Sequence, residues 1–314
     1  MTLRQNALGV DLSLDALDVY CPRRDTYRHV PNTPAAIAAL VADNTDAFFV
    51  FEATSGCDHE LRARLTAAGV PFARVNPRRA REFARARGLL AKTDRVDARG
   101  LAEMGRCLPL EATVEPDTQR QRLAALVTRR DQIVGDLTRE QNRLRVTLEP
   151  LAKADITSHI RVLEGRRDKF DKAIAGHIAA HPDLARAEQR LRTIPGVGPI
   201  VAATLLAELP ELGQRDRRAI AALAGLAPLA NDSGRRQGRR RIWGGRRKAR
   251  RVLYIAGLNA KRYCPHYADI AARMAATGKA PKTIVIAIAR RLLTAMNAML
   301  RDGTEFAPGP ASVH

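Results

Sequence analysis

Cysteine is scarce and scattered: Cys21, Cys57, Cys107 and Cys264 include no CxxC pair. That spacing excludes the common zinc and dithiol-redox frameworks and suits a reduced, cytoplasmic setting. No apolar run of signal-peptide length opens the chain, and no segment reads as long and charge-free enough to span a bilayer. A soluble protein without a membrane partner is therefore expected. Of the seven histidines, His177 and His181 share an i,i+4 spacing that could hold a metal. Pro182 follows at once and no third ligand is evident, so both are expected at the surface. Acids are also short: 33 Asp and Glu face 53 Lys and Arg, a formal charge of +20. Such an excess acts through counterion release on a polyanion, which makes nucleic acid the leading partner and an anionic membrane surface the alternative.

What is present is enough chain for a sizeable core and two or three domains, 314 residues in all. Residues 6–20 run apolar and then alternate through Leu12, Leu14, Leu17 and Val19, predicting a strand, a tight turn near Asp15-Ala16 and a second strand. Asp11 falls within the first strand, where an aspartate is expensive to bury without a counter-charge; Asp15 and Asp18 fit turn aspartates better. A short helix over Pro34–Leu40 precedes the apolar run Ala47-Phe48-Phe49-Val50-Phe51, a buried strand that ends in Glu52. The carboxyl end of such a strand is where open α/β sheets place ligands. A helix from Cys57 to Ala68, a strand over Pro71–Val75 and a turn at Asn76-Pro77 come next, and one further helix leads into Asp94 and Asp97. The last two acids are three residues apart and point the same way on a helix; an ordinary solvated face beside Lys92, Arg95 and Arg99 is the competing reading. Four acids near element ends in a basic chain form a candidate cage for Mg²⁺ or Mn²⁺, which in pairs clamp the attacking and leaving oxygens of a phosphodiester displacement.

Beyond residue 116 the texture becomes helical. Leu123, Leu126, Ile133, Leu137, Leu144 and Leu148 mark one long amphipathic helix, and Leu163, Phe170, Ile174 and Ile178 a second. Together they predict an antiparallel coiled-coil arm or dimerisation element, or a helical linker packed on the body. Pro195-Gly196-Val197-Gly198-Pro199 resembles a helix-hairpin-helix turn whose glycines admit a phosphate; a plain glycine turn between core helices is the alternative. Between Arg235 and Arg251 stand ten basic residues and no acid: Arg235, Arg236, Arg239, Arg240, Arg241, Arg246, Arg247, Lys248, Arg250 and Arg251. With Lys92, Gly196 and Gly198 they are the expected nucleic-acid contacts, and Trp243 either stacks on a base or packs. Ser233 opens this basic loop, either as a turn former or with its hydroxyl beside guanidinium groups; no nearby histidine offers itself as a base. Lys282–Leu300 reads as a core helix followed by a loose tail from Asp302.

Gly-Val-Asp11, Phe-Glu52-Ala-Thr-Ser-Gly, Val-Asn-Pro77 and Lys-Thr-Asp94-Arg-Val-Asp97-Ala, then Ile-Pro-Gly-Val-Gly-Pro and the Asp-Ser233-Gly loop, resemble the DEDD insertion-sequence transposases. That family includes pilin-gene invertases and bridge-RNA-guided recombinases. The resemblance implies an α/β plus all-α chain: an RNase H-like (RuvC-like) catalytic domain over 1–112, a coiled-coil arm over 113–190, a mainly helical transposase domain over 191–305 and a tail over 306–314. It further implies that Asp11, Glu52, Asp94 and Asp97 hold Mg²⁺ (or Mn²⁺) and that Ser233 attacks DNA to form a phosphoserine link. Implied partners are donor and target DNA, a structured guide RNA, and further copies of the chain in a dimer or tetramer. Two competitors share the charge: a RuvC-like nuclease that hydrolyses branched DNA with metal-bound water, and a non-catalytic architectural DNA binder.

Overall fold

The computed structural model describes residues 6–53, 56–91, 93–115, 117–230, 232, 238 and 240–307. It divides into two compact units, Met1–Glu115 and Pro116–His314.

The first unit is a mixed sheet covered on both faces. Its strands are β1 (Ala7–Leu12), β2 (Ala16–Cys21), β3 (Thr26–Pro31), β4 (Phe48–Glu52) and β5 (Phe72–Val75). They lie in the order β3-β2-β1-β4-β5, with β1, β2 and β3 antiparallel and β4 and β5 added in parallel to β1. Strand alternation assigns the faces. Leu8, Val10, Leu17, Val19, Phe49 and Phe51 form one core with α1 (Pro34–Ala42) and α2 (His59–Ala67). Phe48, Val50, Ala73 and Val75 form the other with Leu101 and Met104 of α4 (Asp94–Cys107).

On that second face α4 lies against bare backbone. A methyl at Gly9 of β1 would fall 1.9 Å from the Ala98 carbonyl oxygen and 2.4 Å from the Ala102 nitrogen. At Gly105 a methyl would meet Val50 at 2.7 Å and Ala7 at 2.8 Å. The helix can approach the sheet this closely only because small residues line both sides of the seam. A second tie is ionic. Asp58, fully buried just before α2, accepts from Arg74 of β5 and lies 3.5 Å from Arg62, which makes two bonds to Glu115 at 2.8 and 2.5 Å. A buried carboxylate is tolerable only with such compensation.

Three local expectations change. β3 was not anticipated, because its exposed edge-strand face carries Thr26, Arg28 and other polar residues. Asp18 is no turn residue: it sits inside β2 opposite Asp11, buried, and accepts hydrogen bonds from Tyr27 and from His29 Nδ1. The helix expected to run into the acids is broken, α3 (Pro77–Ala86) ending before a connection at 87–93 and α4 starting anew at Asp94.

The second unit contains α5 (Thr118–Val146), α6 (Pro150–Ala179), α7 (Pro182–Arg192), α8 (Pro199–Glu208), α9 (Arg217–Leu223), a two-stranded ribbon of β6 (Pro228–Leu229) and β7 (Arg241–Ile242), α10 (Arg247–Tyr263), α11 (Pro265–Ala276) and α12 (Pro281–Asp302). α5 and α6 form a long helical hairpin. Asp117 caps the first through the Arg120 N–H, and Glu149 caps the second through the Ala152 N–H with Pro150 in the opening turn. At the base, Leu123, Val127, Ile174 and Ile178 belong to the main core; farther out, Ile133, Leu137 and Leu163 form a small cluster of their own. Arg130 pairs with Asp171 across the two helices.

α12 is by length and apolar content capable of crossing a bilayer, contrary to the reading that no segment is, but half of it is buried inside the protein. Its Ile284, Ile288, Leu292, Leu293 and Met296 join the main core. His177 is not at the surface: it is buried, and its Nε2 donates to the Gln119 carbonyl at 2.8 Å, tying α6 to α5. Nor is the chain after Asp302 loose throughout, since the Phe306 N–H donates to Thr193 Oγ1 at 2.9 Å and its ring stacks on Tyr267.

Gly9→Ala should destabilise the first unit by about 1–3 kcal/mol, the range for overpacking a filled contact, and Gly9→Val by more. Denaturant unfolding of the two variants checks this; stability equal to the parent in both would contradict the seam.

Candidate active site

β1 and β4 run in parallel with Val10 paired to Phe51, so Asp11 and Glu52 each follow by one residue at adjacent strands' carboxyl ends. Leu8, Val10, Phe49 and Phe51 occupy the opposite core, so alternation turns Asp11 and Glu52 toward the α4 face. α4 starts at the same place. Thr93 caps it, its Oγ1 accepting from the Val96 N–H at 3.3 Å, and this puts Asp94 and Asp97 in the first turn, where the helix dipole favours carboxylates. Asp11, Glu52, Asp94 and Asp97 thereby line one cavity of about 430 Å³.

Arg95 and Arg99, the flanking cations, turn the other way, over the rings of Tyr27 at 5.3 Å and Tyr20 at 5.9 Å. They do not neutralise the cavity. Burial pushes the Asp11 carboxyl up, and the charges of Asp97, Asp94 and Asp18 push it further, to about 6, against the lowering effect of the Leu12 N–H. A strongly raised carboxylate in a cleft marks a site whose negative charge is under-compensated. Arg81 of α3 supplies partial compensation that the sequence reading missed. It lines the same cavity, lies 3.8 Å from Asp97, and donates to the carbonyls of Ala91 at 3.3 Å and Leu90 at 3.2 Å. The available signal was a cation in the middle of the helix that precedes the acid pair. Among the described residues, no three His, Cys, Asp or Glu side chains already close on one point as metal ligands. The donor set is nonetheless all carboxylate oxygen, which suits a hard divalent cation.

In the second unit, Pro228-Leu229 pairs with Arg241-Ile242, and this ribbon carries the basic loop. Asp232 accepts from the Gly238 N–H at 2.9 Å and from Arg240 at 3.3 Å, pinning the outgoing strand to the returning one. Ser233, Arg235, Arg236 and Arg239 lie outside the described residues, as does Lys92. The return is locked by glycine against glycine. Gly225 and Gly245 both have positive φ, and a methyl on Gly245 would fall 2.2 Å from the Gly225 nitrogen. These glycines approach the protein's own backbone.

The sequence segment has no acid of its own, but acids elsewhere in the unit engage several of its cations. Arg246 makes two bonds of 2.6 Å to Glu211 and one of 2.7 Å to the Glu208 carbonyl. Lys248 is 3.3 Å from Glu208 and donates to Thr128, and Arg251 donates to Asp131 at 2.5 Å. Arg250 donates to the Gly244 carbonyl at 2.6 Å. Arg241 and Arg247 have no ion-pair partner among the described residues, and Trp243 is 55% exposed. Gly196 is packed against Asn259 and Ala260 of α10, whereas open space surrounds the position of a Cβ on Gly198, the residue that opens α8.

Two family models match these regions. A DEDD transposase model of the IS110 type covers residues 9–152, which include the four acids. The model of the transposase IS116/IS110/IS902 family covers residues 188–271, which include the glycine turn and the basic loop. Over these two regions the chain matches the IS110-type DEDD transposases. Its class is that of DNA-cleaving transposase and recombinase enzymes. Similar proteins include the pilin gene-inverting proteins of Moraxella bovis and Moraxella lacunata, each 29% identical over 238 residues, 74% of this chain and 73% of theirs. The transposase for insertion sequence element IS1111A of Coxiella burnetii is 26% identical over 217 residues, 60% of this chain and 58% of its own. The acid cavity thus falls in the first matched region and the basic loop in the second.

Because the folded Asp11 carboxyl titrates near 6 and its ordinary value is 3.8, the folded state binds the extra proton between those values. Stability therefore falls as pH rises from about 4 to 6 and stays lowered above that. Asp11→Asn removes the penalty. The variant should be more stable than the parent at pH 7.5, by on the order of 1 kcal/mol after allowance for partial exposure, and equal to it below pH 4. Denaturant midpoints across that range, in metal-free buffer, measure it.

Proposed function

We propose that the chain is a divalent-metal-dependent DNA transposase or site-specific recombinase that cleaves DNA with the hydroxyl of Ser233. The observation that carries this reading is the convergence of Asp11, Glu52, Asp94 and Asp97 on one cavity in which the Asp11 carboxyl is pushed up to about 6. The β3-β2-β1-β4-β5 sheet with its first three strands antiparallel supports an RNase H-like assignment for this unit. The four carboxylates would hold Mg²⁺ or Mn²⁺. When bound, such an ion supplies charge neutralisation at the phosphate and lowers the pKa of a coordinated hydroxyl.

The chain's own groups do the rest. Ser233 Oγ attacks the scissile phosphorus and releases its hydroxyl proton to water; the serine O–P bond forms, one backbone P–O bond breaks, and the leaving sugar oxygen takes up a proton from water, so that no net proton is gained or lost. Attack by a second DNA hydroxyl on the phosphoserine reverses the step and exchanges strands. Phosphate charge is met by the basic loop, with Arg241 and Arg247 the described members not engaged elsewhere. Lys92, Gly196 and Gly198 would add backbone and cation contacts to the DNA. Arg81 orients the connection at 87–93 and Asp97, keeping the acid pair in register with Asp11. Strand exchange needs two DNA partners, so the working form would be a dimer or tetramer. The unpaired positive charge of the chain leaves room for a structured guide RNA as the element that sets the sequence.

The test is a denaturing-gel assay for a protein–DNA adduct on a substrate carrying the element's own junction, in Mg²⁺. The parent should form the adduct, Ser233→Ala should form none, and Asp11→Ala should lose at least 1000-fold in rate, on the order of 4 kcal/mol in the transition state. Strand cleavage at parental rate by Ser233→Ala would move the chemistry to metal-bound water and a hydrolytic nuclease. In parallel, Ca²⁺ or Mg²⁺ should raise the thermal midpoint of the parent but not of Asp11→Asn, by linkage of binding to folding.

A further inference from the structure

α3 carries four arginines and one acid, and its flanks differ in what they face. Pro77, Ala80, Arg81 and Ala84 line the acid cavity, while Phe83 packs against the core of β4 and β5. The helix is fixed beside the acids. It begins two residues after Val75, the cross-strand partner of Glu52, and so rises from the same edge of the sheet. Farther along, Ala84 sits against Gly100 of α4, where a methyl would come 3.6 Å from the Ala84 Cβ.

Among the described residues lining the cavity, Arg81 is the single cation against four carboxylates. Its approach to Asp97, 3.8 Å, is too long for a hydrogen bond, and its two bonds to the Leu90 and Ala91 carbonyls leave part of its five-donor fork unspent. Arg85 follows four residues later, on the same stripe of the helix and about 6 Å farther along its axis. It is exposed and has no ion-pair partner among the described residues, whereas Glu82 and Glu103 take Arg78 and Arg87 on either side. Arg79 is also exposed and also without such a partner, but it stands two residues from Arg81 and so about 200° round the helix from it. A cavity lined by four carboxylates repels a phosphodiester unless positive charge stands beside it.

We infer that the Arg81–Arg85 stripe is the track for one strand of DNA, with Arg85 holding a phosphate outside the acid cavity and Arg81 the neighbouring phosphate at its mouth. The one aromatic of α3, Phe83, is turned into the core, so the contact is with the backbone and carries no base sequence. Because Arg81 is already held by two carbonyls, it loses little freedom on binding. The inference rests on the DNA-cleaving reading above and adds how a strand is laid at the carboxylates.

The test is binding of the full-length protein to a labelled duplex bearing the element's junction, followed by anisotropy in Ca²⁺ over a range of salt. Arg85→Gln should weaken binding about 3- to 10-fold and lower the salt slope by about one phosphate contact. Arg79→Gln removes the same charge from the other flank of the same helix and should stay within about 2-fold of the parent with an unchanged slope. Single methylphosphonate substitutions through the junction then locate the contacts. The parent should be sensitive at two neighbouring phosphates of one strand; Arg85→Gln should lose the outer sensitivity and Arg81→Gln the inner. Equal losses in Arg79→Gln and Arg85→Gln would reduce the stripe to a diffuse positive field and overturn it. Parental phosphonate sensitivity retained in Arg85→Gln would overturn it as well, and in either case adduct formation through Ser233 could stand. No binding of the duplex by the parent would sink the track and the broader reading together.

Discussion

The contact between α4 and the backbone of β1 is the constraint on which the acid cavity depends. Carboxylates repel, so a fold that gathers four of them must hold their carriers together by something other than the carboxylates. Here that is a dry seam of small groups: Gly9 and Ala7 on the strand side, Ala98, Ala102 and Gly105 on the helix side, with Val50 filling the end. Close packing makes such a seam stiff, since any added methyl must move the helix as a body. Leu101 and Met104 of the same helix join Phe48 and Val50 in the core below. The apolar contacts of one helix thereby fix the position of its polar first turn, and the raised Asp11 carboxyl is a free-energy cost carried by that packing.

Much of this unit was legible in the sequence because its signals are local. The continuous apolar run at 47–51 has no stable place except a doubly covered strand, and Glu52 marks its end. Asp11 stood out as an acid within an apolar strand, and alternation makes it share a face with Glu52. Less legible were features that depend on a partner distant in the chain. Asp18 reads as a turn aspartate until Tyr27 and His29 of β3 are set across from it. β3 lies at the sheet edge with mostly exposed residues, so its pattern carries little apolar alternation. The break before Asp94 was hidden because residues 77–107 are rich in Ala, Arg and Leu, good helix formers; Gly88, at positive φ, and the Thr93 cap decide it. Arg81 is one arginine among many until its guanidinium is seen against Asp97.

The second unit shows the opposite balance. Its helices were partly anticipated from period and proline, but the meaning of its charge was not. Ten cations without an acid between Arg235 and Arg251 look like ten free charges; acids at 131, 208 and 211, remote in sequence, occupy several of them. Arg246, bound in a fork by Glu211 and by the Glu208 carbonyl, anchors the returning end of the basic loop to the segment after α8. A bidentate, half-buried arginine of that kind is a structural tie first, and its loss would leave Glu211 uncompensated.

This pairing separates two tasks that composition merges. A cation spent on an internal carboxylate contributes to the long-range field of the chain but has little left to give a phosphate at close range, because the pair must be broken and resolvated before a new contact forms. A cation left without a partner has no such prior claim. Across the described part of the segment the engaged members, Arg240, Arg246, Lys248 and Arg251, hold the ribbon, its return and α10 in place, while Arg241 and Arg247 remain open. The dense run of arginine is therefore better understood as a framework with a few exposed contacts than as a uniform positive surface. The same logic governs the acids of the first unit: Asp58 is spent on Arg62 and Arg74 and holds the fold, whereas Asp11, with no ion pair among the described residues, has its carboxyl pushed up to about 6. In both units the scaffold consumes some charges and leaves others uncommitted.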